Sequence, residues 1–234
     1  PENSRVAAQY ARVLELVSTR AAASFTTGLA DAPCGEPCGG PSPAIFLRMS
    51  SDACAGEDRV AVAGACLEYE WELVLDGEWF LRHITVLESL GAVINVALFG
   101  LVFTLVQLVH EGDASAEGPM LLGRAKSSDQ QALSALMRAT PGFEACQDRL
   151  WWEHSAGLGQ GFTDAKSRGL HKVCDNLAAA FGRRRTRIAL PADLLELADS
   201  ALAATTRWTP PGRVTLLRSS ADTRAALPEE TGEG

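Results

Sequence analysis

The fold is decided by residues 44–75, whose sequence is AIFLRMSSDACAGEDRVAVAGACLEYEWELVL. Three runs of apolar and β-branched residues predict three short strands, which span Ala44–Met49, Val60–Leu67 and Glu70–Leu75. Gly56-Glu-Asp58 and Asp76-Gly77 supply residues that favour tight turns. Three consecutive strands joined by turns predict an antiparallel meander.

The remainder of the chain alternates between helical and strand-like patterns. We predict, in chain order, a helix over Ile84–Leu98, a strand over Leu101–His110, a helix over Ser128–Ala139, a strand over Arg149–His154, a helix over Thr163–Phe181 with Thr163 as its N-cap, and a helix over Ala192–Thr205. This order predicts an α/β fold, with a mixed five-stranded sheet and flanking helices. We expect three parts: an N-terminal helix (Ser4–Ser24) and Gly/Pro-rich linker over 1–43, the α/β domain over 44–182, and a basic linker, short helix and irregular acidic tail over 183–234.

Composition narrows the class of protein. Apolar residues make up 47% of the chain, which is enough for a packed core. The net charge of −8 works against nucleic-acid binding by the whole surface, because phosphates need local positive charge. The best basic patch, Arg183-Arg-Arg185 with Arg187, is more typical of a solvated helix end or linker. The first residue is Pro and no export signal follows it, so we expect a piece of a larger polyprotein.

Cysteine usage indicates the compartment. Six cysteines lack the spacing of a disulfide scaffold, which favours a reducing, intracellular location, with cytoplasm and nucleus both open. Cys34 and Cys38 form the one close pair, but no second pair or nearby histidines complete a zinc site. We therefore interpret this pair as part of a structural or flexible loop.

The segment Leu90–Val109 has twenty residues without a charge, long enough to span a bilayer. Gly91 and Gly100 interrupt it, and acidic residues stand at both ends without a basic cluster. These features favour a buried helix that turns at Gly100 into a buried strand, which gives the same composition. A single-span membrane protein stays open as the alternative.

Four acidic residues stand in contexts that suit one site. Asp52 follows the first strand-like run, Glu88 lies at the start of a long apolar helix, Asp113 follows a second apolar run, and Asp164 lies in the first turn of a helix. Carboxylates at strand ends and helix starts can converge from distant positions. Together they would be hard oxygen ligands of the kind that Mg²⁺ prefers.

The order of these motifs resembles the ribonuclease H-like domain of retroelement (retrotransposon-type) reverse transcriptases. In one branch of that family the order is DAS…W…HINVLEL…DN…HIPG…ADALSR. This chain has Ser51-Asp-Ala-Cys54, Trp79, His83-Ile-Thr-Val-Leu-Glu-Ser89, Glu111-Gly-Asp-Ala-Ser115, Glu153-His-Ser-Ala-Gly157 and Thr163-Asp-Ala-Lys-Ser-Arg168. The match runs from about Ala44 to Arg168. It departs from the family where Ala55-Gly-Glu-Asp-Arg59 replaces a Gly-Trp-Gly-like stretch and where His154-Ser-Ala-Gly157 lacks a proline.

The resemblance implies Mg²⁺-dependent endonucleolytic cleavage of RNA in RNA–DNA hybrids, leaving 3′-hydroxyl and 5′-phosphate ends. It implies two Mg²⁺ ions, with Mn²⁺ as a substitute, and a polymerase domain as partner within the polyprotein. Asp52 would bridge both ions, Glu88 and Asp113 would hold the leaving-group ion, and Asp164 the water-activating one. A degenerate, non-catalytic module of the same fold stays open as the alternative.

Other residues receive weaker predictions. Ser115, Ser51 and His154 could contact substrate, although a structural role for His154 at a strand end is more common. His83 is expected to support the start of its helix. Four tryptophans, Trp71, Trp79, Trp151 and Trp152, could stack on nucleotides but are more typical of a core, and one of the last two must point inward.

Overall fold

The structure is a computed structural model that describes residues 46–103, 106–155, 161–180 and 182–208. Its strands are β1 Phe46–Ala55, β2 Val60–Cys66, β3 Tyr69–Leu75, β4 Gln107–Gly112, β5 Leu150–His154 and β6 Thr186–Arg187. Its α-helices are α1 Ile84–Val102, α2 Glu117–Leu121, α3 Ser128–Arg138, α4 Pro141–Cys146, α5 Gly161–Ser167, α6 His171–Ala180 and α7 Ala192–Ala204, with short 3-10 turns at Gly77–Leu81 and Gln147–Arg149.

The strands form one mixed sheet in the order β5-β4-β1-β2-β3-β6. The β2 strand is antiparallel to β1 and β3, whereas β4 is parallel to β1, and β5 is parallel to β4. This arrangement confirms the meander and the mixed α/β sheet with flanking helices that the resemblance implied. The predicted number of five strands was one too few, because β6 pairs with β3 over only two residues and two residues leave no hydrophobic period to detect.

The first strand is longer than its apolar run. The prediction ended it at Met49, but pairing with β2 continues from Met49 opposite Cys66 to Ala55 opposite Val60. The extra residues include Ser51 and Asp52, which are buried despite being polar. Asp52 therefore lies inside β1 rather than after it. Hydrophobicity failed here because pairing with β2 and packing of helices, not side-chain polarity, sets where the strand ends.

Helix α1 does not turn into a strand at Gly100. It continues to Val102, and β4 begins only at Gln107 instead of at Leu101. A Cβ at Gly100 would lie 2.2 Å from the carbonyl oxygen of Gly142, so the missing side chain lets α1 touch the backbone of α4. The glycine serves a close helix–helix contact, which sequence spacing cannot distinguish from a break.

Helix α1 is long and apolar enough to cross a membrane by length and composition, with a mean hydropathy of 1.9 over its 18-residue window. However, 78% of that window is buried inside the protein. The helix packs on β1 and β2 and against α3 and α4. This burial favours the core-helix interpretation over a membrane span.

The predicted helix Thr163–Phe181 is two helices, α5 and α6. Gly169, with φ of +72°, stands between them in the left-handed conformation that favours glycine and ends helices. Thr163 is fully buried within α5, so its prediction as an N-cap was wrong.

The two faces of the sheet differ in chemistry. The face under α1 carries most of the apolar core, including Trp71, Leu90, Leu98 and Leu108, all fully buried. One polar network crosses this core, because the Trp71 indole donates to Asn95 Oδ1 at 2.8 Å and Asn95 Nδ2 donates to the Ser50 carbonyl at 2.9 Å.

The opposite face buries charges. Lys166 on α5 is 1% exposed in its side chain and donates to Glu70 Oε1 of β3 at 2.6 Å. Arg185 donates to both oxygens of Glu70 at 2.7 Å, and Arg187 Nη2 lies 3.3 Å from Glu72 Oε2. Part of the basic patch is thus paired with β3 rather than solvated.

The described part of residues 183–234 packs on the sheet domain. Helix α7, predicted as Ala192–Thr205, contacts α1 and α3, with Leu194, Ala198 and Ala201 in the core. The Trp208 amide donates to the Leu81 carbonyl at 2.7 Å. The predicted N-terminal helix and linker, Cys34 with Cys38, and the acidic tail lie outside the described residues.

Candidate active site

Strand pairing places Asp52 and Asp113 side by side. Ser50 of β1 pairs with Glu111 of β4, so the positions two residues further along each strand, Asp52 and Asp113, are level. Neighbouring strands lie about 4.8 Å apart. Asp113 is the first residue after β4 and is partly buried, while Asp52 is 6% exposed.

Glu88 reaches the same end of the sheet from α1. His83 caps this helix by accepting a hydrogen bond from the Thr85 amide at 3.2 Å, which confirms its structural role. Gly91 brings the helix close to the sheet, since a Cβ there would lie 2.8 Å from Ser51 Oγ. The pKa of Glu88 is raised to about 7, mainly by burial and in addition by the charges of Asp113 and Asp52.

Asp164 approaches from the opposite face on α5. Ser167 of the same helix donates a 2.6 Å hydrogen bond to Asp52 Oδ2, which ties α5 to β1. The pKa of Asp52 is raised to about 6. Burial is the main cause, the Ser167 hydrogen bond opposes it, and the charges of Asp164 and Asp113 add to it. The partly exposed carboxylate of Asp164 pairs with Arg168, whose Nε lies 2.7 Å from Oδ1.

Asp52 is therefore within electrostatic reach of Asp113 and Asp164, and Glu88 is within reach of Asp113 and Asp52. These acids are supplied by two neighbouring strands and by helices on both faces. Within the described ranges, however, no three Asp, Glu, His or Cys side chains are already grouped to hold a metal ion. The chemistry of the donor set still fits a hard divalent cation, because all four donors are carboxylates and two are destabilised as anions by burial and by their neighbours.

Sequence reasoning missed a fifth carboxyl, Glu117, at the start of α2. It is fully buried, and its pKa is raised to about 9, mainly by burial and in addition by the charges of Glu88, Asp113 and Asp52. In the sequence an acid at a helix start is ordinary and usually solvated. The signal that could have found it is its position four residues after Asp113, beside Gly118-Pro119, in a stretch where the family motif is altered.

The weaker site residues lie at the rim. Ser115 is exposed in the loop after Asp113. His154 is exposed at the end of β5 and pairs with Gly112, the residue before Asp113. Both are therefore near the acids and open to solvent, where a substrate contact stays a prediction.

The tryptophans follow the core interpretation. Trp71 and Trp79 are buried in the hydrophobic cluster. Of the β5 pair, Trp152 packs inward, while Trp151 is 59% exposed and donates to Gln107 Oε1 at 2.8 Å.

Comparison with solved structures finds a similarity to the crystal structure of RNase H1 from the halophilic archaeon Halobacterium salinarum NRC-1, at 13% sequence identity and a TM-score of 0.38. The similarity covers 49% of this chain and 89% of that chain. No family model matches the sequence, and no curated protein matches it. What the site can do therefore follows from this chain's own residues.

Proposed function

We propose that this protein is a divalent-cation-dependent nuclease that cleaves the RNA strand of RNA–DNA hybrids. The proposal is supported by two sets of interactions at one end of the sheet: Asp52 interacts with Asp113 and Asp164, and Glu88 interacts with Asp113 and Asp52. Acids that raise one another's pKa in a partly buried position gain most from a bound cation, which removes their repulsion.

Each carboxylate has a role that its position supports. Asp52, level with Asp113 and hydrogen-bonded to the helix of Asp164, would be shared between two ions. Glu88 and Asp113 would hold one ion, and Asp164 the other after release from Arg168. When bound, a pair of Mg²⁺ ions, or Mn²⁺ in their place, supplies an activated water and stabilises the leaving 3′ oxygen.

The hybrid would be recognised by its shape and its 2′-hydroxyl groups. Ser115 and His154 are exposed close to the acids and would contact the strand being cut. As the resemblance suggests, we propose that the domain works inside the cell, beside the polymerase domain of a retroelement polyprotein.

A second candidate is a ribonuclease H-like binding module without catalysis. Two observations favour it: the Arg168 pair on Asp164, and the lack of a ready three-ligand group among the residues described. In that case the fold would hold nucleic acid without cutting it.

The deciding experiment is cleavage of an end-labelled RNA–DNA hybrid in Mg²⁺ or Mn²⁺, with single-stranded RNA and both duplexes as competing substrates. Asp52→Asn should reduce cutting by about three orders of magnitude, because losing one preorganised charge contact costs 10²–10³ or more. Glu144→Gln, which removes an exposed carboxylate on α4, is the matched control. Folded parent protein that leaves the hybrid intact under all metals would favour the binding module.

A further inference from the structure

Glu117 is a buried acid without a hydrogen bond. Its residue is 0% exposed, and neither carboxyl oxygen accepts a hydrogen bond from any residue that the structure describes. The Trp152 indole favours the charged form, but its N–H does not reach hydrogen-bonding geometry with either oxygen. A buried carboxyl group without a hydrogen-bond partner is destabilising in either charge state, so its position needs a structural explanation.

Glycine residues around the acid site leave space for this carboxyl group. A Cβ on Gly112 would lie 1.5 Å from Glu117 Oε2, so only glycine at the end of β4 leaves room for it. Gly118, the next residue of α2, lies against the Trp152 ring, since a Cβ there would be 2.6 Å from Trp152 Cε3. Because Gly112 and Gly118 have no side chains, the Glu117 carboxyl can lie against Gly112, the residue that precedes Asp113.

The residues behind Glu117 direct one N–H group towards its carboxyl. The Trp71 indole can only donate, so Asn95 presents Oδ1 to it and turns Nδ2 towards His110 Nε2, at 3.5 Å. Burial lowers the pKa of His110 to about 3, so the ring is neutral. Because Nε2 faces the Asn95 amide and the Ser51 hydroxyl, which lies 3.2 Å away, we assign the ring proton to Nδ1. Nδ1 lies 3.7 Å from Glu117 Oε2 and has no hydrogen-bond partner among the described residues. The imidazole N–H dipole therefore faces the carboxyl.

The other neighbours of Glu117 are the site acids. Glu88 has the largest effect on it among these charges, followed by Asp113 and Asp52. Glu117 thus lies on the side of the cluster where Glu88 and Asp113 meet. Its carboxyl oxygens have no hydrogen-bond partner among the described residues, and its charged neighbours are Glu88, Asp113 and Asp52.

We propose that Glu117 is a fifth carboxylate ligand of the cation site, joining Glu88 and Asp113 around the same ion. The inference rests on the proposed cation site and adds a donor from a position outside the four-acid motif. A bound divalent cation supplies the partner that the buried carboxyl lacks, and the His110 N–H orients it. The ion on this side then has three protein carboxylates besides Asp52.

Cation binding can be measured without substrate, by titrating the full-length protein with Mn²⁺ and following free Mn²⁺ by electron paramagnetic resonance. Glu117→Gln keeps the side-chain volume and should weaken Mn²⁺ binding at one site by about tenfold or more, the scale of effect that even outer partners of a metal site have. Glu144→Gln should leave Mn²⁺ binding unchanged. Gly112→Ala, which displaces the carboxyl while leaving it in the chain, should reproduce the Glu117→Gln loss.

Thermal melting with and without Mn²⁺ separates a ligand from a merely structural acid. The raised pKa of Glu117 keeps its carboxyl protonated at neutral pH without metal, so Glu117→Gln should change the melting temperature of the metal-free protein little and should shrink the increase that Mn²⁺ gives. A Glu117→Gln protein that binds Mn²⁺ as tightly as the parent, and gains as much in melting temperature from it, would overturn the inference, as would a parent that binds no Mn²⁺.

The inference and the proposed function can fail separately. If Glu117→Gln weakens Mn²⁺ binding but the parent does not cut hybrids, the fifth ligand stands and the nuclease assignment fails. If the parent cuts hybrids and Glu117→Gln binds Mn²⁺ normally, the nuclease stands and the fifth ligand is overturned.

Discussion

The two faces of the sheet bury different kinds of side chain and stabilise them in different ways. Under α1 the face is apolar, and its stability comes from packing around residues such as Leu98. On the opposite face Glu70 is buried, but cationic partners on other elements neutralise it. Asp52 is buried on that same face, yet its hydrogen bond comes from the neutral Ser167 hydroxyl. The contrast marks Asp52 as a buried acid whose charge is left for a ligand to balance.

The apolar face should show the largest loss of stability. Leu98→Ala removes a fully buried side chain from α1 and should lower the free energy of unfolding by about 3–4 kcal/mol, through lost transfer energy and a residual cavity. Urea denaturation measures this change. Leu195→Ala, at an exposed position on α7, should change it by less than about 0.5 kcal/mol. Equal losses in the two variants would mean that the α1 face is not a packed core.

On the polar face, removing one member of the Lys166–Glu70 ion pair should lower the free energy of unfolding more than removing both members. Lys166→Met leaves Glu70 with Arg185 alone and should cost about 2–3 kcal/mol, less than a buried acid left with no partner. Changing Glu70→Leu as well should recover part of that loss. The comparison uses a double-mutant cycle from urea denaturation. Additive losses would show that the two side chains do not interact.

The acid site should make stability fall as pH rises. Unfolded carboxyls have pKa values near 4, whereas those of Asp52, Glu88 and Glu117 are raised to about 6, 7 and 9. Between these pH values the folded state therefore binds more protons than the unfolded state. The free energy of unfolding should fall by several kcal/mol from about pH 5 to 9, since each unit of raised pKa contributes about 1.4 kcal/mol.

Urea denaturation in EDTA at several pH values tests this slope. Excess Mg²⁺ should flatten it, because a cation stabilises the ionised acids. Glu70 does not contribute in this range. Burial alone would raise its pKa, but hydrogen bonds from Arg185 and Lys166 lower it below the usual value, so its contribution is lost only in acid. A flat profile in EDTA would contradict the coupling of the three acids.

The smallest effect is expected at Arg168. Its pair with Asp164 is solvent-exposed, so Arg168→Ala should change the free energy of unfolding by less than about 0.5 kcal/mol. The same change frees Asp164 and should tighten Mn²⁺ binding by about twofold, the scale of such a surface pair. Mn²⁺ titration checks the second effect. Weaker binding in Arg168→Ala would mean that the arginine supports the site instead of competing for it.

Sequence reasoning succeeded where the information was local. Turn residues and apolar runs gave the β1–β3 meander, and the motif order gave the four acids, of which Asp52 interacts with the other three. It failed where a distant part of the chain decided the outcome. Gly100 ends no helix because Gly142 lies against it, and β1 extends through Asp52 because β2 pairs with it. Glu117 was missed for the same reason. Its burial depends on contacts with Gly112 and His110, which the residues next to it in the sequence do not predict.

The short β6 strand and helix α7 have a practical consequence for where the chain can be cut. Thr186 and Arg187 add a strand beside β3, and α7 places Leu194, Ala198 and Ala201 against the core. A protein shortened to the end of the predicted domain at residue 182 would uncover that part of the core and the edge of β3, and uncovered strand edges promote aggregation. Expression boundaries should therefore lie beyond Trp208, whose amide donates a hydrogen bond to the Leu81 carbonyl.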